Sequence, residues 1–198
     1  MDRHNHYETA FAALLRCYRV NHVAVDESRR THADGAPVKS LDFIVHSTAG
    51  TKWLVDVKGR RYPAGPPERP RRVWESWATR LDVDSSRQWC GQFGPDYHGL
   101  LVFSYHLVDP REPHRTHETL WSWNDQRYLL RAIPMATFAR LMRVRSPRWD
   151  TVSLTQTDYR AVVRPLADFL PELRCPPRIY ETDQAWAMPV HADAAVGV

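Results

Sequence analysis

Apolar positions recur at Tyr7, Phe11, Leu14, Leu15 and Tyr18 within HNHYETAFAALLRCYRV. That spacing predicts one inward stripe on a helix of about four turns. NHVAVDE reads as a short strand after it, and residues 28–39, polar with a Gly and a Pro, as a loop. Lys39 to Arg60, KSLDFIVHSTAGTKWLVDVKGR, then forms two apolar runs joined by a small turn. The Pro- and Arg-rich RRYPAGPPERPRR, Arg60 to Arg72, lacks periodicity and reads as a long surface loop. VWESWATRLDV fits either helix or strand, whereas SSRQWCGQFG predicts a short helix capped by Asp84 or Ser85 and stopped at Gly94-Pro95.

HGLLVFSYHL is almost wholly apolar, as a central strand covered on both faces should be. ETLWSWNDQRYLLRAI predicts a hairpin turning at Asn124-Asp125. MATFARLMR and TDYRAVVRPLADFL read as helices, with WDTVSL a strand between them. The order implies an α/β fold: a single domain whose mixed central sheet is flanked by helices. Residues 1–107 make its core, 108–183 an α/β extension packed on that core, and 184–198 an Ala-rich tail with little to bury.

The hairpin carries a contradiction: Asp42, Asp56 and Lys58 interrupt its apolar runs, and unpaired charges are costly inside a sheet. Side-chain alternation makes the turn length decisive. A two-residue turn at Ala49-Gly50 would pair Asp42 with Val57 and Phe43 with Asp56, mixing charged and apolar groups on both faces. A three-residue turn, Ala49-Gly50-Thr51, pairs Asp42 with Lys58 and Ile44 with Asp56. It puts Leu41, Phe43, Val45, Trp53, Val55 and Val57 on one face and all three charges on the other. Such a cluster is either a salt-bridged sheet end or a divalent-metal site in which carboxylates hold the cation and the lysine acts on water or on developing charge. Glu8 shares the inward stripe of the first helix. It also stands three residues after Asn5, as the second member of a capping box.

Composition narrows the classes. Lys and Arg outnumber Asp and Glu by 27 to 23, a net charge of +4 carried mostly by arginine, which permits a polyanionic partner. The eight tryptophans read as core packing. Three scattered cysteines without a C-x-x-C pair imply neither a zinc site nor a disulfide framework, and point to a reduced, cytoplasmic compartment. No apolar run approaches the ~20 residues of a membrane helix, so no membrane partner is expected. MDRHNHYETA lacks the apolar segment of a secretion signal.

A helix bearing Glu8, a strand bearing Asp42, the next strand bearing Asp56-Val57-Lys58, then a helix and an apolar strand: this succession resembles the PD-(D/E)xK nuclease superfamily. The likeness is to its restriction-endonuclease-like and archaeal Holliday-junction-resolvase core, and covers about residues 4–107. More narrowly, HYETAFA, His6 to Ala12, resembles the motif of the uncharacterised HYExAFE family, whose last Glu is Ala12 here. Leu41 replaces the superfamily's Pro, and Asp56 its more usual Glu.

The resemblance implies an αβββαβ core and Glu8, Asp42 and Asp56 as ligands of magnesium or manganese, with the Val57 carbonyl a further ligand. It sets Lys58 beside the attacking water and a Gln on the following helix near the site, Gln88 in preference to Gln92. It also implies DNA as substrate, no small-molecule cofactor, and often a homodimer. Phosphate contacts would come from Arg60, Arg61, Arg69, Arg71 and Arg72, in a segment that reads equally as a solvated linker. The expected function is metal-dependent hydrolysis of DNA phosphodiester bonds. The alternatives are a nuclease fold that binds nucleic acid without cutting it, or a protein-interaction module.

Overall fold

The computed structural model describes residues 6–25, 31–33, 36–66, 68–109 and 118–175. The expected Asn5 cap and the 184–198 tail lie outside the described residues. Helix α1 (His6–Cys17) forms where the apolar stripe predicts, burying Ala10, Phe11, Leu14 and Leu15. It ends where Arg19 turns to φ 52° and Val20 closes on the Leu15 carbonyl at 2.9 Å. Strand β1 (Asn21–Ala24) follows. The expected loop over 28–39 instead contains a two-stranded ribbon, β2 (Thr31–Ala33) and β3 (Ala36–Val38). A ribbon of this kind is held by backbone hydrogen bonds and need not show apolar alternation.

Strands β4 (Phe43–His46) and β5 (Lys52–Tyr62) form the charged hairpin. Past β5 the Pro-rich segment is a loop closed by a bridge between Ala64 and Arg71 and anchored by Trp74, whose ring stacks on Tyr62 at 3.7 Å. The undecided VWESWATRLDV resolves into β6 (Trp77–Thr79) and the first turn of α2 (Arg80–Phe93). The helix is therefore capped by Thr79, not by Asp84 or Ser85. Thr79 and Asp82 form a reciprocal capping box, satisfying two backbone donors that the helix start leaves open.

Strand β7 (Tyr97–Leu107) is buried on both faces, as its composition predicts. The hairpin of β8 (Thr119–Trp123) and β9 (Gln126–Pro134) turns at Asn124 and Asp125, whose φ values of 47° and 58° are those of a two-residue turn matched to strand twist. Next come α3 (Met135–Leu141), β10 (Arg143–Ser146), β11 (Thr151–Ser153) and α4 (Gln156–Val162). The last helix is half the length expected. Pro165 cannot continue a helical hydrogen-bond ladder, and Arg164–Pro165 pairs with β9 as β12 before two short 3-10 turns.

The main sheet runs β1-β4-β5-β7-β9-β12, with β8 also on β9. All its pairs are antiparallel except β5 and β7, which α2 connects in parallel. Thus α1, β1, β4, β5, α2 and β7 realise the αβββαβ order, and the C-terminal half adds strands to the same sheet. One face packs Phe43, Val45, Val55, Val57, Leu100 and Val102 beneath Phe11, Leu14 and Leu15 of α1. The other packs Leu101, Phe103, Tyr105 and Ile133 against Val83, Phe138 and Tyr159 from α2, α3 and α4. A small second sheet, β10-β11-β6, joins that second layer.

Candidate active site

The hairpin register decides where the charges go. Phe43 lies opposite Val55, Ile44 opposite Leu54 and Val45 opposite Trp53. The turn has three residues as expected, but they are Thr48, Ala49 and Gly50, closed by Ser47 and Thr51. Gly50 sits at the third position with φ +84°, a left-handed conformation that glycine adopts without a Cβ clash. The expected turn placed that glycine one position too early. Asp42 is consequently level with Asp56 rather than Lys58, and Ile44 faces Leu54 rather than Asp56. The alternation survives the shift: Phe43, Val45, Trp53, Val55 and Val57 enter one core, and Asp42, Asp56 and Lys58 share the opposite face.

Two carboxylates side by side repel unless their charge is compensated. Asp42 stands one residue before β4 begins and accepts the Val57 N–H at 2.5 Å, bridging the point where β5 runs on without its partner strand. Asp56 is compensated by Lys58, whose Nζ lies 2.7 Å from Oδ2, and by Lys39, 3.3 Å from Oδ1. Both ammonium groups also reach Asp82 Oδ1, at 3.1 Å from Lys58 and 2.9 Å from Lys39. The result is a closed ring of alternating charge, with side-chain exposures of 3% for Asp82, 10% for Asp56, 11% for Lys58 and 34% for Lys39.

Helix α2 builds half of this ring. Its capping box turns Asp82 inward, where Oδ2 accepts the Thr79 N–H at 2.7 Å while Oδ1 meets the lysines. Further along, the Ser85 hydroxyl accepts the Lys39 N–H and the Trp89 indole donates to the Lys39 carbonyl, each at 2.9 Å, so the helix also grips the lysine's backbone. Burial alone would raise the Asp82 carboxyl. Lys58, Lys39 and the Thr79 N–H outweigh it and hold the group at about 2. Burial likewise opposes the Lys39 charge, and Asp56 and Asp82 override it and raise its pKa.

Neither Lys39 nor Asp82 emerges from sequence reasoning as a site residue. Asp82 left a readable trace, the Thr79-x-x-Asp82 capping signature ahead of an apolar position. Lys39 left none, because its partners lie 17 and 43 residues away. Gln88 and Gln92, by contrast, are exposed on α2, whose buried face presents Asp82, Val83 and Ser85.

The predicted arginines divide. Arg60 is buried: its guanidinium packs 3.8 Å from the Trp77 ring centroid and donates to the carbonyls of Gly59, at 2.7 Å, and Trp77. Burial lowers its pKa, against the pull of Tyr105, Glu75, Asp56 and Asp82. Arg61, Arg69, Arg71 and Arg72 are exposed, and Arg71 reaches Glu75 at 3.4 Å.

Glu8, half-buried in the first turn of α1, belongs to a helix lying over the opposite face of β5. There the Tyr7 ring sits directly on Gly59, so close that a Cβ at residue 59 would fall 2.0 Å from Tyr7 Cδ2. Beside it, His6 Nδ1 and the Tyr128 hydroxyl are 2.8 Å apart. Asp42, Asp56 and Lys58 are therefore brought together, on the face of β5 opposite the one that the apolar stripe of α1 covers. Among the described residues no three acidic, histidine or cysteine side chains gather as a metal site would require, and no helix is long and apolar enough to cross a membrane.

No family model matches the chain, so the HYExAFE likeness rests on His6–Ala12 alone. No curated protein matches it either. Among solved structures, the Holliday junction resolvase Hjc of Archaeoglobus fulgidus aligns with a TM-score of 0.45 and 12% identity, over 83% of this chain and 97% of the resolvase. Similarity at that level transfers no chemistry from one protein to the other.

Proposed function

We propose that the chain hydrolyses DNA phosphodiester bonds with the help of magnesium or manganese. The observation that supports this most is the common face of Asp42, Asp56 and Lys58 where β4 ends and β5 continues alone. Two carboxylates match what a magnesium ion ordinarily takes from a protein, the rest of its shell being water. Asp42 and Asp56 would hold the cation, with the Val57 carbonyl and Glu8 as the further donors that the superfamily resemblance suggests. When bound, such an ion polarises a phosphoryl oxygen and makes water a better nucleophile at neutral pH.

The chain's own residues then have distinct tasks. Lys39, the most exposed member of the ring, would cede Asp56 to a bound cation. Lys58 stays in place because Asp82 binds it independently, at 3.1 Å. Its ammonium faces the phosphate and neutralises charge that grows there during bond cleavage. Asp82 is thus a positioning residue. Arg61, Arg69, Arg71 and Arg72 supply phosphate contacts. Arg60 orders the backbone next to the site, and Gln88, exposed on α2, is the helix glutamine that the superfamily resemblance suggests near the site.

One observation favours a second reading, a nuclease fold that binds DNA without cutting it: the closed ring already satisfies Asp56 with two ammonium groups. Labelled single-stranded, double-stranded and branched DNA incubated with magnesium or manganese separates the two. Catalysis predicts cleavage by the wild type that disappears in folded Asp56→Asn and Lys58→Ala proteins. Binding without any cleavage, under either metal, would establish the second reading and remove the first.

A further inference from the structure

The small sheet β10-β11-β6 carries a feature that hydrolysis at β5 does not use. From Arg140 to Trp149 the chain reads RLMRVRSPRW, with four arginines and no acidic residue, and all four are exposed. Val144 between them is 59% exposed, and Trp149, the one exposed tryptophan among the described residues, is 68% exposed. Strand β10 is one of the two outer strands of its sheet. The Arg148 guanidinium lies 5.2 Å from the Trp149 ring centroid, so charge and aromatic surface are presented together.

This ribbon is held in place. Asp150, in a left-handed conformation with φ 42°, accepts the backbone N–H of Arg80 at 2.9 Å, and its carboxylate faces Arg80 Nε at 3.4 Å. The hairpin tip is thereby fixed to the first residue of α2, the helix that supplies Asp82. One side chain also joins the ribbon to the site: Trp77 in β6 carries the Arg60 guanidinium at 3.8 Å and that of Arg145 at 5.3 Å from its ring centroid.

We propose that the Arg143–Trp149 ribbon is a docking surface for single-stranded nucleic acid, with Arg143, Arg145 and Arg148 on phosphates and an unpaired base stacked on Trp149. Charge complementarity selects a polyanion. An exposed, pre-positioned indole selects one with accessible base faces, since paired bases in a duplex hide theirs while every unpaired base offers one. The Pro-rich loop has arginines but no such platform, because Trp74 is stacked on Tyr62.

The proposal extends the nuclease reading by naming the strand class presented to the site, yet its test needs no catalysis. Fluorescence anisotropy of a labelled oligothymidine is measured without divalent cation, across a salt series, for the full chain. Arg143→Ala/Arg145→Ala/Arg148→Ala should lower the magnitude of the log–log salt slope by about 2, at roughly 0.7 per lost phosphate contact. Trp149→Ala should weaken binding about tenfold, and Trp149→Phe should restore most of it. Circular dichroism melts check that the variants remain folded. The proposal is overturned if the wild type does not bind the oligonucleotide, if the triple variant keeps the wild-type slope, or if Trp149→Ala binds as the wild type does. A duplex of equal length bound more tightly and indifferent to Trp149 would also overturn it, leaving the nuclease reading to its own cleavage assay.

Discussion

Strand β5 has two faces built on opposite principles. Toward α1 it offers Trp53, Val55 and Val57 to a continuous apolar core. Toward α2 it offers Asp56 and Lys58, answered by Asp82 and Lys39 in a ring of ion pairs. The apolar face gains stability from every methylene removed from water. The charged face gains little net stability, because desolvating its ions offsets most of their attraction. It instead fixes the directions of four side chains, and that is what a catalytic site needs.

The largest effect should come from the apolar face. Phe11→Ala removes a wholly buried ring lying 5.1 Å from that of Phe43 and should cost about 3–5 kcal/mol in urea denaturation. Asp82→Ala should cost less, roughly 2–3 kcal/mol, from a lost capping box and two incompletely paired ammonium groups. A cost equal to that of Phe11→Ala would show that the ring carries the fold and would dissolve the contrast between the faces.

Acid titration probes the ring alone. Asp82 has a folded pKa of about 2, depressed from its ordinary 3.8. Its contribution is therefore full above about pH 4 and lost as the pH falls from there through 2, on the order of 2 kcal/mol in all. Denaturation midpoints between pH 5 and 2 should fall more steeply for the wild type than for Asp82→Asn; parallel curves would contradict the assignment. Lys39→Ala should be the mildest change in stability, below about 1 kcal/mol, since its ammonium is partly solvated. In the cleavage assay, Glu8→Gln should reduce activity less than Lys58→Ala, since Asp42 and Asp56 would still hold the cation. An equal loss would make Glu8 as necessary as the lysine.

The hairpin's alternation was legible because one face is so uniformly apolar, and even a turn displaced by one residue left Asp42, Asp56 and Lys58 on the same side. The helix–strand order around them was legible for a related reason: β7 is apolar throughout, and the stripe on α1 is unbroken. The ring was not. Lys39 looks like any loop lysine until α2 folds back over it, and Asp82 lies in a stretch whose local pattern did not decide between strand and helix. Arg60 misleads in the opposite direction. In sequence it belongs with Arg61, but strand alternation sends its guanidinium inward onto Trp77.

Gly59, next in line after Lys58, is held to glycine by a neighbour rather than by its backbone. The space a Cβ would need is filled by Tyr7, with Cδ2 at 2.0 Å and Cγ at 2.3 Å. Residues 7 and 59 therefore behave as one unit of sequence variation. Gly59→Ala should wedge the first turn of α1 away from the sheet and carry Glu8 with it, whereas a smaller residue at position 7 should absorb the same methyl group. Chains that share this fold are expected to change the two positions together, so this pair offers a way to recognise distant relatives that the short acidic motif cannot.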